Sequence, residues 1–167
     1  MLDCFTLRTK NAIPIYIFTS NDFGKWLAKQ SAFIKHWIHS TGFDAQSGSV
    51  CLLPDSTGKL TQVLLGVSDL KNFWNAGNLS ITLPQGQYYF AQDVVNQMDL
   101  AIAWGLGAYQ FIRYKKSSQK IAQLLLSKQH VDFVTNTVES ICYVRDLINT
   151  PTDDMGPTEL AASAAQL

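Results

Sequence analysis

The sequence predicts an α/β fold, a mixed β-sheet with helices on both faces. Three observations predict it. Segments rich in β-branched and aromatic residues alternate with segments of helical period, in the order strand, helix, hairpin, strand, helix, strand, helix. Val63-Leu64-Leu65 is continuously apolar, as expected of a strand covered on both faces. The run from Leu100 to Ile112 is apolar on most sides, which suits a buried helix and is too short to span a bilayer.

Each element has its own signal. Ile13-Pro14-Ile15-Tyr16-Ile17-Phe18 reads as a strand, and Pro14 near its start suggests an edge position or a strand entry. Asn21-Asp22-Phe23-Gly24 offers a cap and turn. Lys25 to His39 then reads as one helix, with Phe33, Ile34, Trp37 and Ile38 on one arc and Lys35, His36 and His39 opposite; Thr41-Gly42-Phe43 ends it. Ser49 to Leu53 and Lys59 to Val67 read as strands, joined into a hairpin by the turn residues Pro54 to Gly58. Asp69 to Asn78 reads as a short irregular or helical piece, Leu79 to Leu83 is ambiguous, and Gln87 to Phe90 reads as a strand.

Asp93 or Asn96 can cap a helix running to about Tyr114, with Arg113, Lys115 and Lys116 gathered where the helix dipole favours cations. Ile121 to Leu126 reads as a strand. Asp132 can cap a final helix with Val134, Val138, Ile141 and Ile148 on one stripe. Pro151 stops it, because proline disfavours helical geometry in the residue before it. A new helix starts after Gly156, with Pro157 at its first position and Glu159 in its first turn, and Leu160, Ala164 and Leu167 at helical spacing. So short a helix needs something to pack on. The chain is therefore expected to be the front part of a longer protein: residues 1–148 a domain ending in a linker helix, 149–156 a connector, and 157–167 the start of the next domain.

Composition narrows the function classes. Hydrophobic residues make up 47% of the 167 and charged residues 16%, enough apolar material for one ample core. Lys plus Arg and Asp plus Glu both count 13, which argues against nucleic acid or an anionic membrane as the main partner. Cys4, Cys51 and Cys142 are odd in number and far apart, as suits reduced thiols in a cytoplasmic protein. Met1-Leu2-Asp3-Cys4 lacks the basic end and apolar run of a signal peptide.

No catalytic, metal-binding or substrate-binding residue is predicted in this chain. His36-x-x-His39 has a spacing that could bind a metal, yet zinc catalysis needs three protein ligands, and a solvated helix face explains the pair. Trp104-Gly105-Leu106-Gly107 resembles half of a dinucleotide fingerprint, but it lies inside a helix and Gln110 stands where a third glycine belongs. Close helix packing is the preferred reading. Arg113-Tyr114-Lys115-Lys116 reads as a helix end and Asp153-Asp154 as turn chemistry. His130 reads as loop. There is no Gly-x-Ser-x-Gly elbow and no His-Glu-x-x-His.

A family resemblance rests on three stretches. Arg145-Asp146-Leu147-Ile148-Asn149-Thr150-Pro151, followed by Asp154-Met155-Gly156-Pro157 and Glu159-Leu160-Ala161, resembles the junction between the two domains of the cytosolic leucyl aminopeptidases. Leu83-Pro84-Gln85-Gly86-Gln87-Tyr88 and the run from Trp104 to Phe111 with Arg113-Tyr114-Lys115 are similar to the amino-terminal domain of a bacterial branch of that family. The resemblance implies an α/β amino-terminal domain similar to macro domains, joined to its own carboxyl-terminal catalytic domain in a homohexamer. Whole members remove amino-terminal residues from peptides with two divalent ions, zinc or manganese among them. The ligands, a lysine and several acidic residues including those of Asn-Thr-Asp-Ala-Glu-Gly-Arg, belong to the catalytic domain. That stretch is absent here, since Asn136-Thr137-Val138 and Asn149-Thr150-Pro151 depart at the third residue. The expectation is an accessory domain with no cofactor of its own, inactive alone. The alternative is a stand-alone macro-like module for a nucleotide-type ligand such as ADP-ribose, which would need a glycine-rich phosphate loop.

Overall fold

In a computed structural model that describes residues 2–7, 11–91, 96–115 and 119–165, a six-stranded sheet runs in the order β1-β6-β5-β2-β4-β3. The strands are β1 (Phe5–Thr6), β2 (Ile13–Phe18), β3 (Val50–Pro54), β4 (Leu60–Gly66), β5 (Gln87–Phe90) and β6 (Gln123–Leu125). All neighbours are parallel except β3, which turns back antiparallel along β4 at one edge. The helices are α1 (Ser20–Ala28), α2 (Ala32–Thr41), α3 (Leu79–Thr82), α4 (Gln97–Gly107), α5 (Val131–Asn149) and α6 (Pro157–Ala164), with a 3-10 turn at Phe73–Ala76.

Strand alternation builds two cores on opposite faces. Ile15 and Ile17 of β2 and Val63 and Leu65 of β4 point to one side, where Leu79, Leu100, Trp104, Val134 and Val138 close over them. Phe18 and Leu64 point to the other, against Phe23 of α1 and Ile38 of α2. The expected mixed sheet with helices on both faces is therefore present. Val63, Leu64 and Leu65 are all buried, as a doubly covered strand requires. The hairpin of β3 and β4 also stands where the turn residues place it.

Several expectations are corrected. Pro14 is in an interior strand, not at an edge; pairing with β4 begins only at Ile15, so the proline sits at strand entry on that side. The helix expected over Lys25 to His39 is two helices. Ser31 leaves helical geometry and its hydroxyl accepts from the Ile34 amide, so capping chemistry breaks the run. Thr19 caps α1, and the stretch Asn21 to Gly24, expected to offer a cap and turn, lies within the helix. Gly42 closes α2 in the left-handed conformation at φ 67°, which suits a residue without Cβ. Phe33 and Trp37 stay exposed, stacked on each other, while Ile38 alone of that helix is fully buried.

Helix α4 ends at Gly107 rather than near Tyr114. Beyond it Ile112 and Tyr114 are exposed, so no buried face rewards a further turn. Asp93 and Lys116 lie outside the described residues. Asn96 holds the cap position of α4 without a side-chain cap bond. His130, not Asp132, precedes the first turn of α5. β1, too short to show a period, was not expected at all. On α5, Val134 and Val138 are buried, whereas Ile141 and Ile148 are not. Pro157 opens α6 after Gly156, whose amide donates to the Glu159 carboxylate at 3.1 Å.

Candidate functional site

Three segments, two of them consecutive and one about 30 residues upstream, meet at the carboxyl end of α5. The first leaves α4 through Ala108 to Lys115. The second is the last turn and a half of α5, from Arg145 to Asn149. The third is the connector from Thr150 to Gly156. Their polar side chains satisfy one another. Arg145 donates to the Leu106 carbonyl at 2.9 Å, closing one of the carbonyls that the end of α4 leaves without a helical partner. Its guanidinium lies over the Tyr109 ring, 3.8 Å from the centroid. The Tyr109 hydroxyl donates to Asp146 at 2.7 Å and accepts from Asn149 at 3.0 Å. Arg145 and Asn149, four apart, share a helix side, and Asp146, three before Asn149, borders it, so all three reach Tyr109 or the end of α4.

The connector is fastened at two points. Arg113 donates to the Thr150 hydroxyl at 3.3 Å, and that hydroxyl donates back to the Asp146 carbonyl at 2.7 Å. The Tyr114 hydroxyl donates to the Asp154 carboxylate. Farther on, the Tyr143 hydroxyl donates to the Ser163 carbonyl at 2.9 Å, tying α6 to α5.

The chemistry here is structural. Tyr109 is pushed up by desolvation and by its bond to Asp146, and Tyr114 is pushed up by its bond to Asp154. Both phenols are thus held as donors. Burial raises all three thiols, Cys4 to about 12, which leaves them as thiols rather than nucleophilic thiolates.

The sequence-level candidates sort accordingly. His36 and His39 are exposed on α2. Gly105 and Gly107 are packing positions: a Cβ at Gly107 would stand 1.5 Å from the Gly77 carbonyl oxygen, and one at Gly105 2.8 Å from Phe5 and Val138. Arg113 and Tyr114, read as a helix end, and Asp154, read as turn chemistry, are joined in the fastening of the connector. Sequence reasoning missed the Arg145–Tyr109–Asp146 set. Its signal was that both stretches resembled the same family while lying apart in the chain. Among the described residues no group of three or more His, Cys, Asp or Glu side chains is placed to hold a metal ion. No described helix is long and apolar enough to cross a membrane.

Residues 13–127 match the family described as M17 aminopeptidase, N-terminal domain. The chain belongs to the M17 aminopeptidase family. Its M17 N-terminal domain is similar to the crystal structure of cytosol aminopeptidase from Coxiella burnetii, with 39% identity and a TM-score of 0.94 over 99% of this chain and 37% of that one. The chain thus spans little more than a third of that relative's length. A mutant of tomato leucine aminopeptidase (16% identity, TM-score 0.64, 93% of this chain and 39% of that) shares the fold. So does the bottromycin maturation enzyme BotP in complex with Mn (16%, 0.64, 94% and 36%). No curated protein matches. The M17 assignment favours the accessory-domain reading over the stand-alone macro-like module.

Proposed function

We propose that this chain is the non-catalytic accessory half of a metal-dependent leucyl aminopeptidase, a hydrolase that removes amino-terminal residues from peptides. The observation that carries the reading is the junction itself. Two stretches that resemble the family, around Tyr109 and around Arg145-Asp146, are partners in one polar knot where the chain leaves the domain. Residues 1–148 form the accessory domain with its linker helix, 149–156 the connector, and the chain from 157 onward begins the catalytic domain. Two divalent ions, zinc or manganese, would be held by that domain and not by residues of this chain. The whole protein is cytoplasmic and assembles as a homohexamer; neither nucleic acid nor membrane is a partner.

The test is hydrolysis of leucine anilides with manganese or zinc. The full-length protein should turn over the substrate and this chain should not. Turnover by this chain would refute the assignment of the site to the missing domain. A saturable rise of the melting temperature with ADP-ribose would support a binding module instead.

A further inference from the structure

Helix α5 carries more apolar surface than its own domain covers. Val134 and Val138 are fully buried. Phe133, Ile141, Val144 and Ile148 are 60%, 39%, 51% and 76% exposed. Their spacing puts these four on one side of a 3.6-residue helix, along a line that borders the buried one. Asp132, Glu139 and Asp146, spaced by sevens, lie together on the far side. The helix therefore has three faces: one buried, one acidic whose Asp146 meets Tyr109 at the junction, and one apolar that the described residues leave exposed. α6, bonded through Tyr143, leaves Val144 and Ile148 more than half exposed.

The geometry points to the apolar line Phe133, Ile141, Val144 and Ile148 as the seat of the carboxyl-terminal domain of the same polypeptide. This rests on the reading of the chain as an accessory half. Length argues for that occupant. The Coxiella protein matches 99% of this chain while 63% of it lies outside the match (100 − 37). Continuity argues for it too. The connector is fastened to Arg113 and Tyr114, and α6 is bonded to α5, so the polypeptide leaves the domain beside this face. A line of large apolar side chains along a helix is the form in which one helix face seats on an apolar groove.

The test compares thiol accessibility in this chain and in the full-length protein. Val144→Cys and Ile148→Cys are made singly, with Lys25→Cys on α1 as an exposed reference. Maleimide labelling is read by peptide mass, so Cys4, Cys51 and Cys142 are followed separately. Labelling at 144 and 148 should be at least ten-fold slower in the full-length protein, with 25 unchanged. A benzophenone carried at 148 should crosslink to peptides beyond residue 167 of its own polypeptide, shown with mixed isotope-labelled and unlabelled protein. Equal labelling in the two proteins overturns the proposal. So does crosslinking to residues 2–165 of a second copy. Carbene footprinting of Phe133 to Ile148 in the unsubstituted proteins gives the same comparison should a variant misfold. An active full-length enzyme whose α5 line stays accessible overturns this docking alone; an inactive one whose line is protected overturns the aminopeptidase reading alone.

Discussion

The Tyr109 hydroxyl donates to the Asp146 carboxylate at 2.7 Å across 37 positions of sequence, so one phenol binds the exit of α4 to the end of α5. Tyr109→Phe keeps the ring under Arg145 and removes the bonds to Asp146 and Asn149. It should lower unfolding free energy by about 1 kcal/mol in urea titrations. Tyr109→Ala also loses the cation–π contact and should lower it by roughly 1 kcal/mol more. A double-mutant cycle of Tyr109→Phe with Asp146→Ala should return a coupling of about 0.5–1.5 kcal/mol. A coupling of zero would mean that this bond holds nothing.

The Tyr114–Asp154 bond calls for a different readout. Both residues are exposed, and exposed polar pairs contribute at most about 1 kcal/mol to global stability. Asp154→Ala should therefore leave the urea midpoint nearly unchanged. Its effect belongs to the connector, where amide exchange over residues 150–156 should speed up. Exchange at the wild-type rate would show that Arg113 and Thr150 suffice.

The fold, a sheet with helices on both faces, was legible because its core segments are locally unambiguous. The runs at 13–18, 60–66 and 100–105 are either β-branched and apolar or apolar on every side, and only burial suits them. What misled were residues whose local pattern and tertiary surroundings disagree. Lys25 to His39 has a helical period throughout, yet the Ser31 hydroxyl finds the Ile34 amide and the chain turns there. Ile112 continues the apolar run of α4 but meets no neighbour to bury it. Ile141 and Ile148 share an apolar period with Val134, yet of the three only Val134 is buried. The side-chain bonds at the junction were invisible for a different reason. They join residues 37 to 40 apart through polar side chains, and no periodicity encodes such pairs.

Three glycines should respond to alanine in graded fashion. At Gly107 the added methyl would meet the Gly77 backbone at 1.5 Å, and backbone on both sides cannot yield without separating α4 from the turn that precedes α3. Loss of 3 kcal/mol or more is expected, at or beyond the usual range of about 1–3 kcal/mol for overpacking. At Gly105 the obstacles are the Phe5 ring and the Val138 methyls, which can shift, so a loss of about 1–3 kcal/mol is expected. Gly24 lies inside α1 with nothing within 4 Å of a Cβ, so alanine should stabilise by about 0.5–1 kcal/mol through helix propensity. Thermal unfolding of the three variants gives the order. A Gly107→Ala protein as stable as wild type would refute the close approach of α4 to Gly77.

Alkaline pH should destabilise the domain through Cys4. This thiol is 4% exposed just ahead of β1, and burial pushes its pKa up to about 12. In the unfolded chain it titrates near the ordinary cysteine value of roughly 8.5. Because the folded value is the higher one, the unfolded state binds fewer protons above pH ~8.5, and stability falls as pH rises. The contribution is complete below the unfolded pKa and is lost progressively up to the folded value. Cys51 and Cys142, also raised by burial, add to the same slope. Urea midpoints should therefore decline from about pH 8.5 toward 10.5. Cys4→Ala should start lower, since it leaves a cavity, but decline less steeply. Parallel pH profiles for the two proteins would show that the thiol is not the group being held protonated.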